Sequence, residues 1–326
     1  MSLVSAEIAG ESGIPRIEPI PPGTTRPLWS VMIPTFNCAK YLRQTLESVL
    51  AQDPGSDKMQ IEVVDDCSTK DDPESVVQEL GRNRILFYRK RSNEGATRNF
   101  NTCISRSRGH IVHILHGDDY VDRDFYLKFG LAFDNSPACA AVFSRAFVVD
   151  EQSELIGMTP YVDSLRQVSD DPRELMIVNP LRTPAVAVKR CFYEQHGGFD
   201  NTLVHVADWE MWVRIVVRGA ARMLNKPLVF HRTFSASDTS KLARKADHLR
   251  DCLRLSEKWH TQNLEGFDHA AFDWMIIRWG FSEGQRFRAL GDHDAAAANF
   301  KFWRDHCTLR QRGRVYLEQL LRALIS

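Results

Sequence analysis

The sequence predicts an α/β fold: a mostly parallel sheet with helices on both faces, followed by a helical C-terminal region. Three observations predict it. Short apolar, β-prone runs alternate from Leu28 onward with segments whose apolar residues recur at helical spacing. The runs read as near-continuous apolar stretches, the pattern of strands buried on both faces, and their alternation with helices implies right-handed crossovers. From about Ser237 only helix-like sequence remains.

Taken in order, residues 1–27 are rich in Pro, Gly, Ser and Glu and form an arm, because such a segment orders only where it drapes over a neighbour. "LWSVMI" is the first strand, and after "PTFN" Leu42, Leu46, Val49 and Leu50 mark the first helix. "IEVVDD" is the second strand. Asp72-Pro73-Glu74 then opens a helix with a capping residue, a proline in the first turn and an acid at the positive dipole end. "RILFY" is a third strand, and "NEGATRNFNTCISRSRG" is a loop entering a helix expected to stop at Gly109 as a left-handed cap. "HIVHIL" is the fourth strand. Beyond it, "AAVFSRAFVV" and "TPAVAV" read as strands, "PRELMIV" and "DWEMWVRIVV" as helices, and "ARMLNKPLVFHR" as the last strand. Trp209 and Trp212, three apart, read as core. "AFDWMIIRWGFSEGQRFRALGDHDAAAANFKFWRDH" reads as a helix pair, and its "LGDHDAAAANF" is similar to part of a tetratricopeptide unit. One such pair falls short of the roughly three copies an array needs, so an appended helical cap is expected. The expected domains are an arm at 1–27, an α/β domain at 28–236 and a helical region at 237–326.

The 326 residues carry 42 basic and 42 acidic side chains, so no global field draws the protein to nucleic acid or an anionic membrane. Seven scattered cysteines without a C-x-x-C pair argue against a disulfide framework or a zinc site and imply reduced thiols in a cytoplasmic protein. No run approaches the ~18 apolar residues of a membrane span, and no signal peptide is read at the N-terminus.

In an open parallel sheet, ligands bind beyond the carboxyl ends of the strands. Pro34, Thr35, Phe36 and Asn37 follow the first strand, Asp65 and Asp66 the second, Asn93, Glu94, Gly95 and Arg98 the third, and Asp118 and Asp119 the fourth. Like charges gathered in one cleft push some carboxylates toward neutrality, and a divalent cation relieves that cost. Mg2+ usually takes one or two protein carboxylates and fills its other positions with water and phosphate. A bare Asp-Asp pair is commonly a loop or cap feature, so the doublet draws its weight from its company.

That company resembles a known pattern. "VMIPTFNCAKYLRQTLESVLAQ", "EVVDDCST", "NEGATRNFN" and "ILHGDDYVDRDF" together resemble a family 2 glycosyltransferase of the GT-A fold, a Rossmann-like architecture, over roughly residues 28 to 235. The resemblance implies that Phe36 packs on the nucleotide base, that Asp66 accepts a hydrogen bond from it, and that Pro34, Thr35 and Asn37 line the same site. It places Arg98 near the base and ribose, Asp118 near the ribose, and Asp119 on the metal, Mg2+ or Mn2+. Many relatives have a further Asp two positions before the doublet, where this chain has His116. "GGFDNTLVHVADWEMWVRI" resembles the stretch that supplies the catalytic base, which falls on Asp208; Asp200 and Glu210 are secondary candidates, and His205 is a candidate for shaping the acceptor site. A late His, here His231, is a candidate for holding the metal or diphosphate. Asp is also a favoured helix cap, which is the competing reading of Asp208.

The implied reaction is an inverting transfer from a nucleotide-diphosphate-sugar to a carbohydrate, lipid-linked or small-molecule acceptor hydroxyl, in a cytoplasmic enzyme with peripheral membrane association left open and no nucleic-acid partner. A sugar-1-phosphate nucleotidyltransferase is disfavoured because "PTFNCAK" lacks the glycines of a triphosphate loop. An inactive scaffold would have lost the metal and base positions, yet Asp119 and Asp208 are present.

Overall fold

The structure, a computed structural model, describes residues 13–234, 238–309, 311–313 and 315. The chain divides into two compact units, the first ending at Thr233 and the second beginning at Phe234. The expected boundary at 236/237 and the first twelve residues of the arm lie outside the described residues.

The first unit opens with β1 (Trp29–Thr35), α1 (Ala39–Leu50), β2 (Met59–Asp65), α2 (Pro73–Gly81), β3 (Leu86–Arg89), α3 (Ala96–Arg106) and β4 (Ile111–Ile114). These strands pair in the parallel order β3-β2-β1-β4. Every residue of β1, β2 and β4 is buried, as strands covered on both faces require. Helix α1 turns Leu42, Leu46 and Val49 into the core, and α2 is capped by the Asp72 carboxylate, which accepts the Ser75 N–H at 3.3 Å.

The remaining elements are β5 (Tyr120–Val121), α4 (Phe125–Asp134), β6 (Ala141–Val149), β7 (Leu155–Met158), α5 (Arg173–Ile177), β8 (Val186–Lys189), α6 (Arg190–His196), α7 (Ala207–Gly219) and β9 (Ala221–Arg232). They extend the sheet in the order β8-β6-β9-β5 beyond β4, with β7 on β6. Here the pairing is mixed: β8 runs antiparallel to β4 and β6, whereas β9 runs parallel to β6. Trp209 and Trp212 on α7 are buried, and Trp212 packs edge-on against Phe143 and Phe199.

Gly109 departs from the expectation of a helix cap. Helix α3 ends at Arg106 with Ser107 extended behind it, and Gly109 lacks the left-handed backbone of a cap. A Cβ there would lie 2.5 Å from the backbone of Trp29 and Ser30. The residue is small so that the chain can pass β1, which is a packing demand that local sequence does not reveal.

The described part of the arm has no regular structure but is tied down. Ile17 is 1% exposed, the Pro15 and Gly13 carbonyls accept the N–H groups of Gly198 and Asn201 at 2.9 and 2.8 Å, and Arg26 donates to the carbonyls of Arg108 and Gly109. The second unit comprises α8 (Asp238–Arg244), α9 (Asp247–Thr261), α10 (His269–Ala289) and α11 (His293–His306). Asp292 caps α11, accepting the Ala295 N–H at 3.2 Å, and Phe281 packs on Trp303 between α10 and α11. No helix among the described residues is long and apolar enough to cross a membrane.

Candidate active site

The carboxyl ends of β1, β2 and β4 lie side by side, so the loops after them share one rim. After β1, Pro34 gives its carbonyl to the Gly117 N–H at 3.0 Å, and the buried Thr35 hydroxyl meets the Cys38 thiol at 2.9 Å. Burial, with Asp118 adding, pushes that thiol up to about 12. Phe36 is 40% exposed and presents a free aromatic surface. Asn37 takes a left-handed backbone, φ 51°, and its side-chain oxygen accepts the N–H groups of Thr69 and Lys70 at 2.9 Å each, stitching the β1 loop to the β2 loop.

The two aspartates after β2 do different work. Asp65 is buried, holding the Ser68 N–H and hydroxyl on one side and Arg89 at 2.7 Å on the other. Asp66 receives the N–H groups of Glu94 and Gly95 and lies 3.0 Å from the buried Lys90 ammonium. A carboxylate offers about four acceptor positions, so the N–H groups of Glu94 and Gly95 leave Asp66 room to accept again. It thereby fixes the loop that starts α3. Arg98, in the first turn of α3, is exposed and lines an open cavity of about 250 Å³ with Glu94, Asn101 and Asn201.

The acidic turn after β4 is the most constrained part of the rim. Asp119 is 1% exposed, and its Oδ1 accepts the Arg232 N–H at 2.7 Å. Its Oδ2 lies 3.3 Å from Nδ1 of His116 and 3.3 Å from Nδ1 of His231. Burial opposes its charge, but His231 and His116 outweigh burial and hold the carboxyl well below the usual carboxylate range. Next door, burial and then the charge of Asp119 push Asp118 up to about 6. Among the described residues, His116, Asp118 and Asp119 bring their ligand atoms within 4.8 Å of one another. A buried carboxylate with imidazole and carboxylate neighbours is a donor set that a divalent cation fits.

Arg232, which sequence reasoning missed, locks this turn. Its guanidinium donates to the Asp118 and Asp150 carbonyls at 3.0 and 2.9 Å and to Gln44 at 2.7 Å, and it lies over the Tyr41 ring. Nothing near Arg232 in sequence signals this, since its partners are at least 79 positions away.

Asp208 lies in the first turn of α7 but does not cap it. The capping position belongs to Val206, which makes no side-chain cap bond, while Asp208 accepts the N–H of the adjacent Trp209 at 2.6 Å. Burial raises the Asp208 carboxyl above its ordinary value, and His205, the Trp209 N–H, Arg182 and His116 offset part of the rise. Through His116, Asp208 and Asp119 therefore occupy one electrostatic neighbourhood. Asp200 is turned to its own loop, accepting from the N–H and hydroxyl of Thr202. Glu210 forms a buried pair with Arg214 at 2.9 Å, whose guanidinium also donates to the carbonyls of His196 and Gly198.

Residues 30–194, about half of the chain, match the model of the family described as Glycosyl transferase family 2. An uncharacterized protein of Mycobacterium tuberculosis is 24% identical over 241 residues, 71% of this chain and 75% of that protein. The chondroitin synthase of Pasteurella multocida is 21% identical over 76% of this chain, and the match spans only 25% of that longer protein. In three dimensions the fold is similar to S. aureus TarS 1-349 in complex with UDP-GlcNAc, with a TM-score of 0.59, 17% identity and coverage of 87% of this chain and 82% of that one. It is also similar to a mannosyltransferase from Pyrobaculum calidifontis in complex with GDP-Man and Mn2+, with a TM-score of 0.54, 20% identity and coverage of 91% and 81%. The four parallel strands, the rim they carry and the family match lead to one conclusion: this chain belongs to glycosyl transferase family 2, on the GT-A fold.

Proposed function

We propose that the chain transfers a glycosyl group from a nucleotide-diphosphate-sugar to an acceptor hydroxyl with inversion at the anomeric carbon. The observation that carries this reading is the separation of two acidic positions: Asp119, buried at the rim between His116, His231 and the Arg232 N–H, and Asp208, half-buried in the first turn of α7, where burial raises its carboxyl above the ordinary value. A group that must accept a proton during bond formation works best with its pKa raised toward the operating pH.

Phe36 offers its exposed ring to the nucleobase, and the free acceptor position of Asp66 suits a base N–H. Asp118 and Arg98 stand as contacts for the ribose and its surroundings. Asp119 and His231, with Asp118 beside them, are the residues that would hold Mg2+ or Mn2+. When bound, the cation would supply positive charge to the departing diphosphate. Asp208 takes the proton of the acceptor hydroxyl; the oxygen forms its bond to the anomeric carbon as the bond from that carbon to the diphosphate oxygen breaks. The nucleoside diphosphate leaves with the electron pair, and the sugar inverts. The acceptor proton stays on Asp208 until release.

The test is Asp208→Asn, which keeps size and hydrogen bonding but removes the base. Nucleotide release from a panel of UDP-, GDP- and dTDP-sugars should fall by on the order of 100-fold or more, with nucleotide affinity retained. Unchanged turnover would remove Asp208 from the reaction.

A further inference from the structure

We infer that Arg182 is the acceptor-recognition residue and that the acceptor is an anionic carbohydrate, whose carboxylate or phosphate meets that guanidinium while its hydroxyl meets Asp208. The inference rests on the reading of Asp208 as the base and names the class of molecule that the base serves.

The mixed half of the sheet brings Arg182 to the rim. Strand β8 runs antiparallel to β4, with Ile111 opposite Lys189, Val112 opposite Val188 and His113 opposite Ala187. The segment that enters β8 therefore arrives where β4 leaves, beside the turn that carries His116, Asp118 and Asp119. That segment is fixed before any ligand arrives. Nε2 of the buried His113 donates to the Pro184 carbonyl at 2.8 Å, the Ala185 N–H donates to the Arg182 carbonyl at 2.8 Å, and the Leu181 N–H donates to the Asn179 side chain at 3.1 Å. Leu181, Thr183, Pro184 and Ala185 are buried, and Arg182 among them is only half-buried. A rigid backbone thus holds one accessible cation at the rim, which lowers the ordering cost of binding.

The guanidinium is largely uncommitted. Among the described residues its hydrogen bond runs from Nη1 to the carbonyl of its own neighbour, Leu181, at 3.0 Å, and it pairs with no carboxylate. Arg232 and Arg214 differ, since each has its guanidinium engaged by several groups of the fold. An arginine offers five N–H donors in a planar fork that matches a carboxylate or phosphate, so most of those of Arg182 remain for a ligand. Its charge acts on Asp208, as do those of His205 and His116, whereas Asp118 and Asp119 respond to His116 and His231. Arg182 therefore stands toward the base rather than toward the acidic turn. A cation beside a base lowers its affinity for the proton, which works against a neutral acceptor. An anionic acceptor cancels that charge as it binds.

The experiment measures binding to the full-length protein by saturation-transfer NMR, using methyl β-D-glucoside, methyl β-D-glucuronide and methyl β-D-glucoside 6-phosphate, which differ only in the group at the sixth carbon. Wild type should bind one of the charged probes on the order of tenfold more tightly than the neutral one, and which of them it prefers tells a carboxylate from a phosphate. Arg182→Gln should bring that ratio close to one, and Arg182→Lys should restore part of it. Affinity for UDP and GDP should be the same in all three proteins. The wild-type arm needs no variant, so it stands even if a substitution disturbs folding. No preference for either charged probe in wild type, a preference that survives Arg182→Gln, or a fall in nucleotide affinity that moves Arg182 to the diphosphate overturns the inference. These measurements need no turnover, which separates them from the parent reading. If they fail while Asp208→Asn still abolishes nucleotide release, the anionic acceptor alone is lost; if Asp208→Asn releases nucleotide at the wild-type rate, the base assignment is lost whatever the probes bind.

Discussion

Adjacent carboxylates with opposite tendencies illustrate how environment outweighs residue type. Asp118 and Asp119 share a turn, yet burial and its neighbour's charge raise the first while two imidazoles depress the second. A third histidine has the opposite fate. His113 in β4 is fully buried, shared between the Tyr126 hydroxyl at 3.1 Å and the Pro184 carbonyl at 2.8 Å, and stacked on Phe125. Burial lowers its pKa to about 4. A folded-state value below the unfolded one means stability is present above pH 6.5 and is lost as pH falls toward 4, because the unfolded chain binds the proton first. The loss over that window should be about 3 kcal/mol at most. Urea unfolding at pH 7 and pH 4.5 measures it, and His113→Asn should flatten that part of the slope whatever its absolute stability.

At the scale of elements, α3 connects two halves of the site. Its N-terminal loop hangs on Asp66, while further along Asn101 exchanges hydrogen bonds with both backbone groups of Phe199 and the Thr97 hydroxyl donates to the Leu203 carbonyl. Helix α7 grips the same turn from the other side through Arg214, and the arm adds Pro15 and Gly13. The turn leading to Asp208 is thus held by three separate segments. Arg214→Met should destabilise the first unit by roughly 3–5 kcal/mol, since it strands the buried Glu210 charge and leaves backbone carbonyls without donors. The double variant Glu210→Gln/Arg214→Met should recover a measurable part of that loss in denaturant titrations. A loss no larger than that of an exposed ion pair would mean the pair contributes little to holding the turn.

Across the whole molecule, charge is balanced and recognition is local. With 42 basic and 42 acidic side chains, the chain should give no shift of duplex DNA in a gel assay at about 0.15 M salt; retention would reveal a basic patch hidden by the sum. The parallel half of the sheet was legible in the sequence because strand and helix periods are set by neighbours within a few residues, and a residue that follows a parallel strand must emerge at the sheet's carboxyl rim. Phe36, Asp66, Asp118 and Asp119 were located that way. The mixed second half was not, because β8 slips between β4 and β6, a pairing that no local period encodes.

What the sequence determined alone was therefore the α/β architecture, the membership of the rim and the family resemblance. The tertiary structure alone decided that His231 and Arg232 reach Asp119 across more than a hundred residues, that His116 joins them, that Asp208 lies inside its helix rather than at the cap, and that Gly109 is small for the sake of β1. The reason is physical: backbone propensity and apolar periodicity act over a few residues, whereas charge compensation and close packing act through space between segments that only folding brings together.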